Sequence, residues 1–232
     1  MHFNTPLIEA TFIKRYKRFF VDAALPDGTV VTAHCPNTGS MRGLLAEGAT
    51  CWLSPADDPK RKLQYTLEAI ATPTSMVGVN TSRPNYLVSA GIDNGVIEEL
   101  QGYASQRLEV KYGTNSRIDL HLSDPLQPDC YVEVKNVTLC EDNVLKFPDA
   151  VTSRGLKHLH ELAAVAQNGQ RAVMLFLAQR TDGAHFSPAM DIDPAYGQAL
   201  QEVSQQGVEL LCYRCALTPQ AIHVKNKVDI KL

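Results

Sequence analysis

Hydrophobic residues in the first 80 positions occur in short runs that are separated by turn residues. The runs cover residues 19–25, 29–34 and 49–53. Between them lie Pro26-Asp27-Gly28 and Pro36-Asn37-Thr38-Gly39, residue types that favour tight turns. Closely spaced short strands of this kind predict a small β-barrel, of which the OB-fold is one candidate.

From about residue 84 the pattern changes to longer elements that alternate between helices and strands. Apolar positions at helical spacing predict a helix over residues 85–102, despite two internal glycines. The further elements are strands at 108–112, 117–122 and 130–139, a helix capped by Thr152 or Ser153 and ended by Gly169, a strand at 172–178, a helix at 196–206 and a strand at 208–213. The sequence therefore predicts an α+β chain, with an OB-like barrel over residues 1–83 and an αβββαβ core with a mixed sheet over residues 84–232.

Composition and charge limit the classes of function that remain. The chain has 232 residues, 44% of them hydrophobic, a net charge of −3 and a pI of about 6.2. Binding of a polyanion would therefore depend on local basic clusters, since the whole protein has no positive field. No apolar stretch reaches the roughly 18 residues of a membrane helix, and residues 1–6 lack the pattern of a signal peptide. We expect a cytoplasmic protein with no membrane partner.

The six cysteines are expected to be reduced thiols in that compartment. Cys212 and Cys215 form a C-x-x-C pair, but no second pair follows at the spacing of zinc ligands. The pair lies in an apolar run that predicts a buried strand, where cysteine behaves as a small hydrophobic residue.

The strongest chemical signal is the alternation of apolar and ionisable residues in the three central strands. Glu109, Asp119 and Glu133 each fall at ionisable positions of their strands, and Lys135 lies on the same face as Glu133. The same alternation is also typical of an antiparallel sheet with one solvated face. Lys111, Arg117 and Lys135 could then neutralise the carboxylates without a metal.

The register of these strands can be predicted if they form antiparallel hairpins. The numbers of opposed residues in a hairpin have a constant sum. A turn centred on Thr114 places Glu109 opposite Asp119, and a loop centred on Leu126 places Asp119 opposite Glu133. Opposed side chains lie about 5 Å apart, so a row of three carboxylates predicts a site for a divalent cation such as Mg²⁺.

This arrangement resembles the PD-(D/E)xK nuclease superfamily, in which an aspartate and an E-x-K motif end neighbouring strands of an αβββαβ core. The resemblance implies that Asp119 and Glu133, with the Val134 carbonyl, hold Mg²⁺ or Mn²⁺. It also implies that Lys135 orients or helps deprotonate the attacking water. Ile118 stands where the motif has proline.

Two neighbouring elements supply candidates for a supporting role. The resemblance implies a basic residue near the metal at the start of the helix after the third strand, either Lys157 or His158. Glu98 or Glu99, at the end of the predicted first helix, is a further candidate ligand. The alternative for all four is a solvated helix face.

Several short motifs carry a closer resemblance over nearly the whole chain. They are Arg15-Tyr16-Lys17-Arg18-Phe19, His34-Cys35-Pro36-Asn37-Thr38-Gly39-Ser40-Met41, Glu109-Val110-Lys111-Tyr112-Gly113, Ser116-Arg117-Ile118-Asp119, Tyr131-Val132-Glu133-Val134-Lys135-Asn136-Val137-Thr138-Leu139 and Phe147-Pro148-Asp149-Ala150-Val151-Thr152. Together they resemble the SfsA, or sugar fermentation stimulation protein, family. The resemblance implies an OB-like domain, a nuclease-like domain, DNA binding without sequence specificity and a regulatory role in sugar (maltose) metabolism.

Two basic clusters in the N-terminal region are candidates for contact with DNA. Cations neutralise phosphates and aromatic rings stack on bases, and single-strand binders built on barrels combine both. The alternative is that the Lys/Arg runs are solvated and that Phe19 and Phe20 begin a core strand. Arg42 is a further candidate contact. The residues of the two clusters are Lys14, Arg15, Lys17 and Arg18 in the first, and Lys60, Arg61 and Lys62 in the second.

Three functions are compatible with the sequence. A DNA-binding protein that uses the nuclease-like core as a platform ranks first. A Mg²⁺-dependent nuclease that uses Asp119, Glu133 and Lys135 is the alternative, and a protein-interaction module is the third. The sequence leaves open whether RNA replaces DNA, whether the ligand is single or double stranded, and whether the protein forms a homo-oligomer.

Overall fold

The N-terminal strands close into a barrel, as their spacing predicts. The computed structural model describes residues 1–112 and 116–232, without the side chain of Ser116. The strands of the barrel region are β1 (Ile8–Tyr16), β2 (Phe20–Ala24), β3 (Val30–His34), β4 (Thr50–Pro55), β5 (Tyr65–Ala71) and β6 (Met76–Gly78). Their order is β3-β2-β1-β4-β5-β6, and a parallel contact between His34 and Thr66 joins β3 to β5 and closes a five-stranded barrel. The OB-like architecture is confirmed.

The first basic cluster lies at a hairpin instead of the start of a core strand. Lys14 and Arg15 belong to β1, which the turn pattern did not predict, and Lys17 and Arg18 form the turn to β2 with φ of 47° and 63°. Phe20 begins β2, as the alternative had it, but Phe19 is 48% exposed and precedes the strand, so that expectation is wrong for Phe19. Phe19 directly follows this turn of two left-handed residues and presents part of its ring at the surface.

The second half of the chain forms a six-stranded mixed sheet between helices, together with a small three-stranded sheet. Its elements are α1 (Pro84–Asp93), β7 (Ser105–Tyr112), β8 (Ser116–Asp124), β9 (Gln127–Val137), β10 (Leu139–Glu141), β11 (Val144–Phe147), α2 (Ser153–Gln167), β12 (Arg171–Ala178), β13 (His185–Pro188), α3 (Pro194–Gln205), β14 (Val208–Leu217) and β15 (Ile222–Lys227). The large sheet has the order β15-β14-β12-β9-β8-β7, and β10, β11 and β13 form the small one. The predicted αβββαβ core is present.

The first helix is shorter than predicted. It ends at Asp93, and Gly95 follows with a φ of 72°, a left-handed conformation that glycine adopts without steric cost. The apolar residues beyond it, Ile97 and Leu100, are fully buried around a single 3-10 turn at Glu98–Leu100. These two residues are apolar because the turn is buried against the sheet. Their spacing continues that of the helix, and the sequence therefore suggests a longer helix than the structure has.

The register of the central hairpins agrees with the constant-sum prediction. Leu108 pairs with Leu120 and Val110 pairs with Ile118, so Glu109 falls opposite Asp119 between these pairs. Leu120 pairs with Val132, which brings Glu133 to the position opposite Asp119. The turn centred on Thr114 lies outside the described residues.

The alternation of faces, in contrast, is not strict at the carboxylates. Leu120 packs in the core beneath α1, whereas Ile118 packs in the core beneath α2 and α3. On β7, Leu108 and Val110 divide in the same way. Glu109 between them has a φ of 54°, and this left-handed residue interrupts the regular pleat where the carboxylates lie.

Contacts between the barrel and the larger sheet fix the two parts against each other. The N–H of Gly78 donates to the carbonyl of Gln179 at 2.7 Å, and a Cβ at Gly78 would meet the Gln179 side chain at 2.7 Å. Nearby, Oγ1 of Thr74 donates to the carboxylate of Asp182. No helix of the described ranges is long and apolar enough to cross a membrane.

Candidate active site between the domains

Asp119 lies where strands β8 and β9 separate. The ladder of backbone pairs reaches Leu120 and Val132, and one step further the Oδ2 atom of Asp119 accepts a hydrogen bond from the N–H of Val134 at 2.7 Å. The carboxylate thus takes a backbone donor at the point where the neighbouring strand moves away. This contact holds the side chain at the end of the ladder.

Glu133, Lys135 and His158 form a buried cluster beneath the start of α2. The Nζ atom of Lys135 donates to Oε1 of Glu133 at 2.6 Å and lies 3.1 Å from Nδ1 of His158. Nδ1 of His158 also contacts Oε1 of Glu133. Glu133 is 2% exposed, and its Oε2 atom is buried without a hydrogen-bond partner among the residues described. Oε1 is therefore shared by two nitrogen groups while Oε2 is left without one.

Asn85 connects the carboxylates of two strands. Its Nδ2 atom donates to Oδ1 of Asp119 at 2.9 Å and to Oε1 of Glu109 at 2.6 Å. Asn85 is in the first turn of α1, directly after Pro84. The Asn85 amide therefore lies between Glu109 and Asp119, two of the three carboxylates in the predicted row.

The two buried carboxylates have pKa values that move in opposite directions. Burial raises the pKa of Asp119 to about 6, and the negative charge of Glu133 adds to this effect. Burial also acts to raise the pKa of Glu133, but hydrogen bonds from His158 and Lys135 outweigh it and lower that pKa. Asp119 is therefore the carboxylate that lacks sufficient positive charge nearby.

A cleft of about 490 Å³ opens at this centre, between the barrel and the nuclease-like core. Asp119, Lys135 and Glu109 line it, whereas Glu133 lies behind this surface. The barrel side contributes the loop after β3. The remaining lining residues are Asn37, Thr38, Thr81, Pro84, Asn85, Val134, Asn136, Thr138, Phe147, Asp149 and Arg154.

Asp149 holds the barrel loop that forms this wall. Its Oδ2 atom accepts hydrogen bonds from Oγ of Ser40 at 2.8 Å and from the N–H of Met41 at 3.0 Å. From the other side, the guanidinium of Arg15 donates to the carbonyl of Asn37 at 2.8 Å. The cleft is therefore built by both parts of the chain.

The predicted basic contacts lie in different environments. Lys17 and Arg18 are exposed in the β1–β2 turn, and residues 60–62 are exposed in the β4–β5 loop. Lys14 is 3.7 Å from Asp22, whereas Arg15 is occupied by backbone carbonyls. Arg42 forms an ion pair with Glu141 at 2.9 Å. The exposed members of both clusters that form no ion pair with another described residue lie on two loops of the barrel.

Of the supporting candidates, His158 alone joins the carboxylate centre among the residues described. Lys157 pairs with Glu161 on its own helix, and Glu99 binds Tyr213 and Lys227 at the other side of the sheet. Sequence reasoning missed the roles of Asn85 and Asp149. The motif at residues 147–152 contains Asp149, and the motif at residues 34–41 contains its partners Ser40 and Met41. Sequence reasoning also missed Arg154.

A divalent cation is compatible with this donor set. Asp119 and Glu133 would supply oxygen ligands: Oε2 of Glu133 has no hydrogen-bond partner among the residues described, and the raised pKa of Asp119 indicates a negative charge that its surroundings do not offset. Within residues 1–112 and 116–232, no group of three or more His, Cys, Asp and Glu side chains has the arrangement of a metal site. Water and substrate oxygens would complete the coordination, as is usual for Mg²⁺.

Both the sequence and the fold of the chain resemble those of known proteins. Residues 13–79 match the SfsA N-terminal OB domain, and residues 82–221 match the sugar fermentation stimulation protein RE domain. The sugar fermentation stimulation protein homolog of Geotalea uraniireducens is 50% identical over 232 residues and covers 100% of both chains. The homolog of Rhodospirillum centenum is 53% identical over 231 residues, 99% of each chain. The structure of Pyrococcus furiosus SfsA in complex with Ca²⁺ has the same fold, with a TM-score of 0.90, 23% identity and coverage of 100% of this chain and 98% of that one.

Proposed function

Since the chain belongs to the sugar fermentation stimulation protein (SfsA) family, we propose that it is a DNA-binding protein that contacts the polyanion without reading its sequence. The observation that carries the proposal is the position of the basic clusters. The exposed cations of the clusters that form no ion pair with another described residue lie on the β1–β2 turn and the β4–β5 loop, and these are the two loops that OB-folds use to bind oligonucleotides. Phe19, exposed beside Lys17 and Arg18, supplies an aromatic face for stacking on a base.

Fluorescence anisotropy tests this proposal. Labelled single- and double-stranded DNA and RNA of two unrelated sequences are titrated with the wild type, with Lys17→Ala/Arg18→Ala and with Lys60→Ala/Arg61→Ala/Lys62→Ala. We expect both variants to bind more weakly and to lose about 0.7–0.9 in the slope of log K against log salt for each phosphate contact removed. Lys225→Ala, an exposed lysine on edge strand β15, is the control for loss of charge. Equal affinity of the loop variants and the wild type would contradict the proposal, and unequal affinity for the two sequences would contradict its lack of specificity.

Hydrolysis of phosphodiester bonds with Mg²⁺ or Mn²⁺ is the second candidate function. Asp119 and Lys135 line the cleft and Glu133 binds Lys135 from behind it, which supports this function, as does the Ca²⁺ in the Pyrococcus furiosus relative. When bound, such a cation would polarise the phosphate and lower the pKa of a water molecule.

The residues of the chain have distinct tasks in this second candidate. Asp119 and Glu133 would hold the cation, and the hydrogen bond from Asn85 keeps the Asp119 carboxylate oriented. Lys135, tied to Glu133 at 2.6 Å, places a positive charge where the attacked phosphate gains negative charge. His158 keeps Glu133 and Lys135 together from the side of α2.

Two measurements separate metal binding from catalysis. Calorimetric titration with Mn²⁺ should show binding to the wild type that Asp119→Asn abolishes. Cleavage of labelled DNA in Mg²⁺ or Mn²⁺ should be lost in Glu133→Gln and in Lys135→Ala, with DNA affinity retained. Binding of DNA without cleavage of any substrate would leave the first function and reject the second. The regulatory role in sugar metabolism, the cytoplasmic location, the domain boundary after residue 83 and a homo-oligomer stay predictions.

A further inference from the structure

We infer that Arg154 binds a phosphate group of the nucleic acid inside the cleft, beside Lys135. The inference rests on the proposed function for the identity of the ligand. To the contacts on the two barrel loops, this inference adds a separate phosphate-binding residue in the cleft. Arg154 lies in the first turn of α2 and lines the cleft together with Asp119 and Lys135.

Arg154 is a cation of the cleft that no carboxylate of the described residues neutralises. Lys135 forms an ion pair with Glu133 at 2.6 Å, but across the described ranges no Asp or Glu lies within ion-pair distance of Arg154. Its one hydrogen-bond contact in these ranges joins Nε to Nε2 of His158 at 3.5 Å. Arg154 is an exposed residue, and the other donors of its guanidinium are available for a ligand.

The position of Arg154 is electrostatically unfavourable for the isolated helix. The N-terminal end of a helix carries a partial positive charge, and acidic residues are preferred in its first turn. The first turn of α2 contains no acidic residue and places this arginine one position after Ser153. An anion bound in the cleft would offset the repulsion between the guanidinium and the helix end.

The backbone that carries Arg154 is held in place by tight packing. Oγ1 of Thr152 accepts from the N–H of Gly155 at 3.0 Å, and the N–H of Thr152 donates to Asp193 at 2.8 Å. A Cβ at Gly155 would lie 2.7 Å from Thr152 and 3.1 Å from Tyr196. The absence of a side chain at Gly155 therefore lets the helix start close to α3, which fixes the backbone position of the neighbouring Arg154.

The chemistry of the cleft requires such a group if a phosphodiester enters it. Glu109, Asp119 and Asp149 line the cleft and repel a phosphate, while Lys135 is engaged with Glu133. A guanidinium presents paired N–H donors whose spacing matches two oxygens of a phosphate. Arg154 is therefore suited to bind the non-bridging oxygens next to Lys135.

The test measures phosphate contact directly and does not depend on cleavage. Affinity for a labelled oligonucleotide is measured as a function of salt, without divalent cations, for the wild type, Arg154→Ala, Arg154→Lys and Lys225→Ala. We expect Arg154→Ala to bind about tenfold more weakly and to lose about 0.7–0.9 in the salt slope. Arg154→Lys should keep the slope, because it keeps the charge, and lose part of the affinity. Lys225→Ala should match the wild type in both.

Each outcome of the test decides for or against the inference. If the wild type binds the oligonucleotide and Arg154→Ala has an unchanged affinity and salt slope, the inference is overturned and the proposed function stands. If the wild type binds no oligonucleotide, the proposed function fails, and titration with inorganic phosphate followed by ³¹P NMR decides on Arg154. Loss of phosphate binding in Arg154→Ala, with an unchanged Tm, then supports the assignment. A wild type that binds no phosphate overturns it.

Discussion

Replacing Asp119 by asparagine is expected to stabilise the protein at alkaline pH. The pKa of the Asp119 carboxyl is raised from 3.8 to about 6 by burial and by the charge of Glu133. The folded state therefore holds the proton more tightly than the unfolded chain does, and ionisation of this group opposes folding. The protonated Asp119 carboxyl therefore contributes stability that is fully present below pH 3.8 and is lost as the pH rises through about 6.

The size of the effect follows from this difference in pKa. At 1.36 kcal/mol per pKa unit, ionised Asp119 destabilises the fold by about 3 kcal/mol at pH 8 and by about 0.5 kcal/mol near pH 4. Asparagine has one acceptor oxygen where Asp119 accepts from both Val134 and Asn85, so one lost hydrogen bond costs about 1 kcal/mol. We expect Asp119→Asn to gain about 2 kcal/mol at pH 8 and to lose about 0.5 kcal/mol near pH 4.

Urea unfolding of both proteins at pH 4, 6 and 8, followed by circular dichroism, measures this difference. Glu202→Gln, a substitution on the surface of α3, is the control and should change the free energy of unfolding by less than about 0.5 kcal/mol at every pH. Addition of Mn²⁺ at about 100 times its Kd should stabilise the wild type by about 2.7 kcal/mol and leave the variant unchanged. A variant that is less stable than the wild type at pH 8, or a difference that does not depend on pH, would refute the electrostatic reasoning.

Three further substitutions test other contacts of the site. Glu133→Gln leaves Lys135 buried without its ion-pair partner, and we expect the free energy of unfolding to fall by about 3 kcal/mol near pH 7. Because the pKa of Glu133 is lowered in the folded state, this loss, measured by urea unfolding, should shrink as the pH falls below 4.5. Asp149→Ala removes the acceptor that holds the barrel loop, so the amides of residues 37–41 should exchange hydrogen faster while those of β1 do not, and equal rates in both would contradict the assignment. Thr152→Ala should lower stability by about 1 kcal/mol through loss of the N-cap of α2, measured by thermal unfolding, whereas Thr152→Ser should restore it.

The part of the site that was predictable from sequence is the part that local geometry determines. Antiparallel hairpins with short connections leave little freedom in register, so the sums that bring Glu109, Asp119 and Glu133 together held in the structure. The face switch at Glu109 was not predictable, because a left-handed φ at a residue other than glycine carries no sequence signal. The prediction of strict alternation therefore failed at the residues that form the centre.

Contacts over long sequence distances account for what was missed. Asn85 and Asp119 are 34 residues apart, and Met41 and Asp149 are 108 residues apart. No periodicity in one element reports which residue of another element will meet it. His158 could be named as a candidate from the position of its helix, but whether it or Lys157 faced the carboxylates depended on how α2 packs on the sheet.

Several sequence motifs that have no evident chemical role contain the residues that hold the wall of the cleft in place. Ser40 and Met41 close one motif, Asp149 lies in another, and the hydrogen bonds between them join the barrel to the nuclease-like core. Arg15, from a third motif, holds the same loop from the side of the barrel. These residues do not contact Asp119 or Glu133, yet without them the carboxylate centre would lie on an open sheet end. Under the proposed function, a nucleic acid bound on the barrel loops would then have no fixed path to that centre, so any coupling of binding to the acidic site would depend on this loop.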